Sequence, residues 1–210
     1  MSDAVLIFGY GSLINAESRK RTLRLRPGQV DLCVRATVHP EFGYRRSWCF
    51  RSATGFTALG LEPCRTPGAV HDAEAGPAVG PADNIAGTPA PHPIPGVVHA
   101  VGGSLDDFDA RETGYRRVQI PASVISFDDA DDPEGVRLRA AVDTGKCAIY
   151  TYIPMSSAIQ RASEDFPICQ TYLDTVMEGC LDLGGEAMAE RFVQTTSKWS
   201  EFFLDDTPTS

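Results

Sequence analysis

The chain has 210 residues, 42% hydrophobic and 22% charged, with a net charge of −9. That length and balance fit one ordinary globular domain over residues 1–210. An acidic chain repels phosphate backbones and anionic membrane surfaces, and no apolar run approaches the ~18–20 residues that span a bilayer, so neither nucleic acid nor membrane is an expected partner.

The N-terminal MSDAVLIFGYGS lacks a basic region, and its apolar run is too short for a secretory signal. Cys33, Cys49, Cys64, Cys147, Cys169 and Cys180 are widely spaced, with no CxxC pair and no Cys–His ligand spacing. Free thiols in a reducing compartment, cytoplasmic or organellar, are expected, and no metal. AVLIF (4–8) is a short apolar run ending at glycine, which predicts a buried strand. NAESRKRTL then predicts a helix capped by Asn15, with Arg19, Lys20, Arg21, Arg24 and Arg26 as its solvated face and end. GQVDLCVRATVH (28–39), YRRSWCF (44–50) and FTALGLEP (56–63) read as strands, with Gly55 in a turn.

Residues 66–95 change character. They are rich in Pro, Gly and Ala and nearly devoid of large apolar residues, so they read as a surface insert carrying solvated His71 and His92. GVVHAVGG (96–103) returns to strand character; His99 in it, like His39 earlier, reads as structural. SLDDFDARETGY (104–115) begins as a short helix, with Ser104 as N-cap and Asp106 and Asp107 in the first turn. RRVQIPASVISF (116–127), VRLRAAV (136–142) and KCAIYTYIP (146–154) read as further strands. From Ser156 to about residue 204 the pattern is helical, with Ile168, Tyr172, Val176 and Cys180 on one face and EAMAERFVQTT as a second helix. Trp199, Phe202 and Phe203 are expected to pack its end onto the body. Strands in hairpin-like succession with flanking helices predict an α+β fold, a small mixed β-barrel or curved sheet.

FGYGSLI (8–14) raises the question of chemistry. A GxG after the first strand fits a dinucleotide loop, but Ile14 stands where the third glycine belongs, strands follow strands, and no Gly-Lys-Ser/Thr is present. A run of backbone N–H groups leading into a helix, able to hold a carboxylate or an oxyanion, is the better reading. No GxSxG elbow supplies a nucleophile, and nothing marks out one cysteine. Glu112, in DARETGYRR (109–117), stands where a helix meets a strand beside Arg111, Tyr115, Arg116 and Arg117. It is either a surface ion-pair residue or a half-buried base with a raised pKa.

FGYGSLI near the N-terminus and DARETGY near the middle, taken together, resemble the γ-glutamyl cyclotransferase-like superfamily from Val5 to about Tyr152. The resemblance implies a small mixed β-barrel with flanking helices and a cofactor-free enzyme. Its reaction would release 5-oxoproline from a γ-glutamyl amide: glutathione, a γ-glutamyl amino acid or a γ-glutamylamine. It assigns Glu112 as the catalytic glutamate and Tyr10, Gly11, Ser12 and Leu13 as the substrate loop. Tyr115 and a tyrosine of CAIYTYIP, Tyr150 or its neighbour Tyr152, would complete the binding residues. The glutathione-specific branch typically has Trp where this chain has Asn15, and it differs again at 43–61 and in the C-terminal region. The leaving group, the oligomeric state and the role of the insert stay open. So do a different small amide or ester reaction on the same glutamate, and a non-catalytic binding role.

Overall fold

A computed structural model describes residues 4–23, 33–64, 92–101, 105–128 and 133–207. The strands are β1 (Ala4–Gly9), β2 (Cys33–Val38), β3 (Tyr44–Arg51), β4 (Thr57–Pro63), β5 (Ile94–Val101), β6 (Tyr115–Ile120), β7 (Ile125–Phe127), β8 (Cys147–Pro154), β9 (Ile168–Cys169) and β10 (Phe203–Leu204). The helices are α1 (Ala16–Leu23), α2 (Asp106–Arg111), α3 (Pro133–Asp143) and α4 (Gln170–Thr195). Six strands form a mixed sheet in the order β6-β8-β1-β5-β2-β7, in which only β1 and β8 run parallel. Among the described strands the hydrogen bonding does not close into a barrel; β6 and β7 are the edges, and the β3–β4 hairpin is a separate unit. The fold is α+β, as the strand-rich pattern predicts.

β1 sits inside this sheet, and both of its faces are buried. Leu6 and Phe8 face a core that includes Val98, Ile149 and the α4 residues Val176, Cys180 and Phe192. Ile7 faces a second cluster with Leu13, Phe108 of α2 and Tyr152. Burial on both sides explains why AVLIF is continuously apolar rather than alternating. It also means that whatever follows Gly9 emerges between α2 on one side and α4 on the other.

After β1 the chain makes a single 3-10 turn, Ser12–Ile14, and enters α1. Asn15 caps that helix: its Oδ1 accepts the Ser18 N–H at 3.0 Å. Arg19 departs from the expected solvated face. It is buried and donates to the carbonyls of Leu13 at 2.9 Å and Ile14 at 2.6 Å, tying the helix back to the loop. Lys20 keeps to the expected exposed face and pairs with Glu17 at 2.7 Å. α4 presses on the same turn at Gly179, where an added Cβ would lie 2.6 Å from the Asn15 backbone nitrogen. Gly179→Ala is therefore expected to lower stability by about 1–3 kcal/mol, through forced separation of helix and loop. Urea unfolding measures it, and an unchanged midpoint would show that the two backbones do not need this closeness.

Four sequence expectations need correction. VRLRAAV is not a strand but the body of α3. Pro133 opens it at the first turn, where a missing N–H costs nothing, and Leu138 and Val142 bury at helical spacing while Arg137 and Arg139 stay exposed. The C-terminal helix starts at Gln170, not at Ser156; Pro167 and the short β9 occupy the preceding stretch. Within α4, Gly185 adopts φ 63 and ψ −159, which divides it into the two expected helices. Trp199, Phe202 and Phe203 remain 40–43% exposed rather than sealing the core, although the Trp199 ring lies 5.4 Å from that of Trp48. Finally, Ile94 and Pro95 belong to β5 rather than to the insert. His92 is exposed, as expected of it, while His71, Arg24, Arg26, Ser104 and most of the insert fall outside the described residues. No disulfide joins any of the six cysteines, and no helix among the described residues is long and apolar enough to cross a membrane.

Candidate active site

The loop after β1 forms one wall of a small cleft that opens to solvent. Its lining runs from Phe8 through Leu13, then Leu59 of β4, Glu112 at the end of α2, Tyr115 of β6, Tyr152 of β8 and Tyr172 of α4. Tyr10, Gly11, Ser12, Leu13, Glu112 and Tyr115, far apart in sequence, thus share one cavity. Tyr150 does not line it. It stands half-buried on β8 with the Arg117 guanidinium 5.4 Å from its ring centre. Two residues along a strand is a step of about 6.6 Å, and that step leaves Tyr152 at the cleft and Tyr150 beyond it.

Local sequence explains how Glu112 arrives there. α2 ends at Arg111, and Glu112 is its C-cap, with its N–H bonded to the Phe108 carbonyl at 2.8 Å. The Glu112 carbonyl then accepts the Tyr115 N–H at 2.9 Å, closing a tight turn. Gly114 makes that turn with φ 89, a left-handed conformation that a side chain would strain. Helix, cap, glycine and strand therefore follow in the order written in DARETGY, and the turn brings Glu112 and Tyr115 to one cleft wall.

The polar surroundings are mostly neutral. Burial, then the Glu112 charge, pushes the Tyr10 phenol well above its ordinary value, and its hydroxyl donates to the Tyr152 carbonyl at 2.7 Å. Burial raises Tyr115 likewise; its hydroxyl donates to the Leu59 carbonyl at 2.9 Å. Burial pushes Tyr172 up to about 12, against hydrogen bonds from the Leu59 backbone and from Ser12. Gly11 makes room for this tyrosine: an added Cβ would sit 3.1 Å from the Tyr172 hydroxyl oxygen. Cys49, near these rings, is pushed up to about 12 by burial, so it stays a thiol. His99 is fully buried outside the cleft, and burial holds it neutral with a pKa down at about 3.

Glu112 is the single carboxylate among the described lining residues. Its side chain is 16% exposed, and burial raises its pKa above the ordinary glutamate value, with Arg111 at 3.5 Å acting in the opposite direction. A carboxyl held above its usual range takes and returns protons nearer neutrality than a solvated one. Leu59 and Tyr172 are the lining residues that no motif announces. Both arrive by tertiary packing, and the one trace of Tyr172 in the sequence is its place on the buried face of a helix.

No protein-family model matches the chain, and no curated protein matches it. Solved structures do. A γ-glutamyl cyclotransferase aligns over 97% of this chain and 95% of its own, at 12% identity and a TM-score of 0.54. The human protein loc79017 gives the same coverage, identity and TM-score. YkqA from Bacillus subtilis aligns over 91% of this chain and 54% of its own, at 13% identity and a TM-score of 0.52. At such identities the likeness is one of fold, and the chain has the γ-glutamyl cyclotransferase-like fold.

Proposed function

We propose that the protein is a γ-glutamyl cyclotransferase, releasing 5-oxoproline and a free amine from a γ-glutamyl amide. The observation that carries this reading is the pairing of one half-buried, pKa-raised carboxylate, Glu112, with the Tyr10–Leu13 loop in a single cleft. The substrate brings its own nucleophile, the α-amine, which is mostly protonated at neutral pH. Glu112 accepts a proton from that amine, and the freed lone pair attacks the γ-carbonyl carbon. Backbone N–H groups of the loop hold the substrate's polar groups and meet the developing oxyanion. The tetrahedral intermediate collapses, the C–N bond to the leaving amine breaks, Glu112 returns the first proton to that amine, and the surplus proton of the ring nitrogen passes to it too, so that a neutral lactam and an ammonium leave. No water is consumed. Holding the folded conformer for a five-membered closure supplies up to ~7–11 kcal/mol of the barrier. Tyr10, Tyr115 and Tyr172, all held neutral, act as hydrogen-bonding walls rather than as bases.

The substrate panel that tests this is glutathione, γ-glutamyl dipeptides and γ-glutamylamines, with 5-oxoproline read by mass spectrometry. Release from at least one class is expected, and the preferred class identifies the leaving group. Asn15, standing where the glutathione-specific branch typically has Trp, spends its side chain on capping α1. Glutathione is therefore one substrate class among the three and not a default. Silence across the panel from folded protein would remove the reading.

A further inference from the structure

Asp109 is in the DARETGY motif, yet the reaction above gives it no role. It lies on α2 one turn before Glu112, so the two share a side of the helix. Its Oδ1 accepts the Tyr152 hydroxyl at 2.8 Å, and its Oδ2 accepts Arg117 Nη1 at 2.8 Å. The three residues come from α2, β8 and β6. Tyr152 in turn receives the Tyr10 hydroxyl on its backbone carbonyl, and its ring stacks on Phe108 of α2 at 6.4 Å and 14°. One tyrosine therefore bridges the two halves of the cleft. Its hydroxyl is fixed by the helix that carries Glu112, and its carbonyl by the loop that carries the N–H groups.

The Asp109–Arg117 pair is 43% and 35% exposed, and an ion pair at such a site is worth little to the fold. What the aspartate does is fix the Tyr152 hydroxyl. Arg117 has the Tyr150 ring beside it and occupies one carboxylate oxygen, leaving the other aimed at Tyr152. We propose that Asp109, acting through Tyr152, is a positioning residue that sets where the end of α2, and with it Glu112, stands relative to the Tyr10–Leu13 loop. In the kinetic part this rests on the cyclotransferase reading. The positional part does not.

The geometry distinguishes substitutions finely. Asp109→Asn keeps an oxygen for the Tyr152 hydroxyl and loses only the ion pair. Asp109→Ala and Tyr152→Phe both remove the hydrogen bond, from opposite ends. Two readouts test the proposal: steady-state kinetics, and titration of Glu112 by carbon-13 NMR in the whole protein. Asp109→Ala and Tyr152→Phe are each expected to lower kcat by about 10–100-fold with KM little changed. The double variant should be no worse than either single one, and Asp109→Asn should keep most of the rate. In the same variants the Glu112 pKa should fall back toward the ordinary glutamate value as water reaches it, while Asp109→Asn leaves it raised. A Glu112 titration unmoved in both Asp109→Ala and Tyr152→Phe would overturn the proposal, as would losses that add in the double variant. If the unmodified protein turns over no γ-glutamyl donor, the reaction reading fails and the NMR titration alone decides the positional one.

Discussion

Glu112→Gln is expected to abolish 5-oxoproline release while leaving the protein folded and more stable at neutral pH. The side chain keeps its size and its place in the turn, so what is lost is the proton exchange and the 3.5 Å charge contact with Arg111. General acid–base catalysis by one group contributes about 10²–10⁴-fold, and here the same group acts twice, so the loss should reach at least that range. The stability gain follows from the raised pKa. Between the ordinary glutamate value, about 4.3, and the higher value in the folded protein, the folded chain binds a proton that the unfolded chain has released. Stability therefore falls as pH rises through that window. Glutamine, which never ionises, escapes the penalty, so the advantage of the variant should be full above the folded pKa and vanish below the unfolded one. Thermal unfolding across pH measures it. The rising limb of kcat/KM should lie above the ordinary glutamate range for the same reason. A variant that keeps its rate would remove Glu112 from the mechanism. One that is inactive but equally less stable at every pH would point to a purely structural glutamate.

Arg46→Leu is expected to cost about 3–5 kcal/mol of stability, the largest effect of any single change outside the cleft. Arg46 has no exposed surface, and no carboxylate pairs with it among the described residues. Its guanidinium instead donates to the carbonyls of Pro95 at 2.8 Å, Phe192 at 3.1 Å and Tyr10 at 3.3 Å, and to the hydroxyls of Thr195 and Thr196, both at 2.9 Å. It also lies 4.1 Å over the Phe192 ring. Burial lowers its pKa to about 9, which still leaves it charged at neutral pH. The charge sits at the C-terminal end of α4, where the helix has spare carbonyls and a negative dipole end. Leucine would fill part of the volume but leave buried carbonyls unpartnered, each costing about 1–3 kcal/mol. For a chain of this size the melting temperature should fall by about 6–20 °C. Lysine should recover only a fraction, because one ammonium cannot reach all the acceptors that a planar fork serves on its separate edges. A loss under about 1 kcal/mol would show that water replaces the guanidinium and that Arg46 does not hold loop, β5 and α4 together.

The cleft is partly legible in the amino-acid sequence because its key residues lie in two motifs whose conformation is locally determined. FGYGSLI turns where its glycines allow, and DARETGY caps a helix and reverses at Gly114. What stays hidden depends on partners far away. Tyr172 reads as a core residue of an amphipathic helix and becomes a cleft wall only because α4 lands on the loop at Gly179. Arg19 reads as one more surface cation, and the sequence does not show the loop carbonyls that it reaches inside the fold. Val136–Val142 alternates well enough for a strand, but its neighbouring alanines and an opening proline favour a helix once no sheet edge pairs with it. Tyr150 and Tyr152 share a strand and a face, and sequence alone does not tell which of them stands beside the loop.

The most direct test of the proposed chemistry is turnover of a γ-glutamyl amide in water enriched in oxygen-18, with products identified by mass. Attack by the substrate's own amine yields 5-oxoproline with no heavy oxygen, together with one equivalent of free amine. That is the expected result, and it should be lost in Glu112→Gln. Glutamate carrying heavy oxygen would mean that water, not the α-amine, is the nucleophile, and would make the protein an amide hydrolase on this fold.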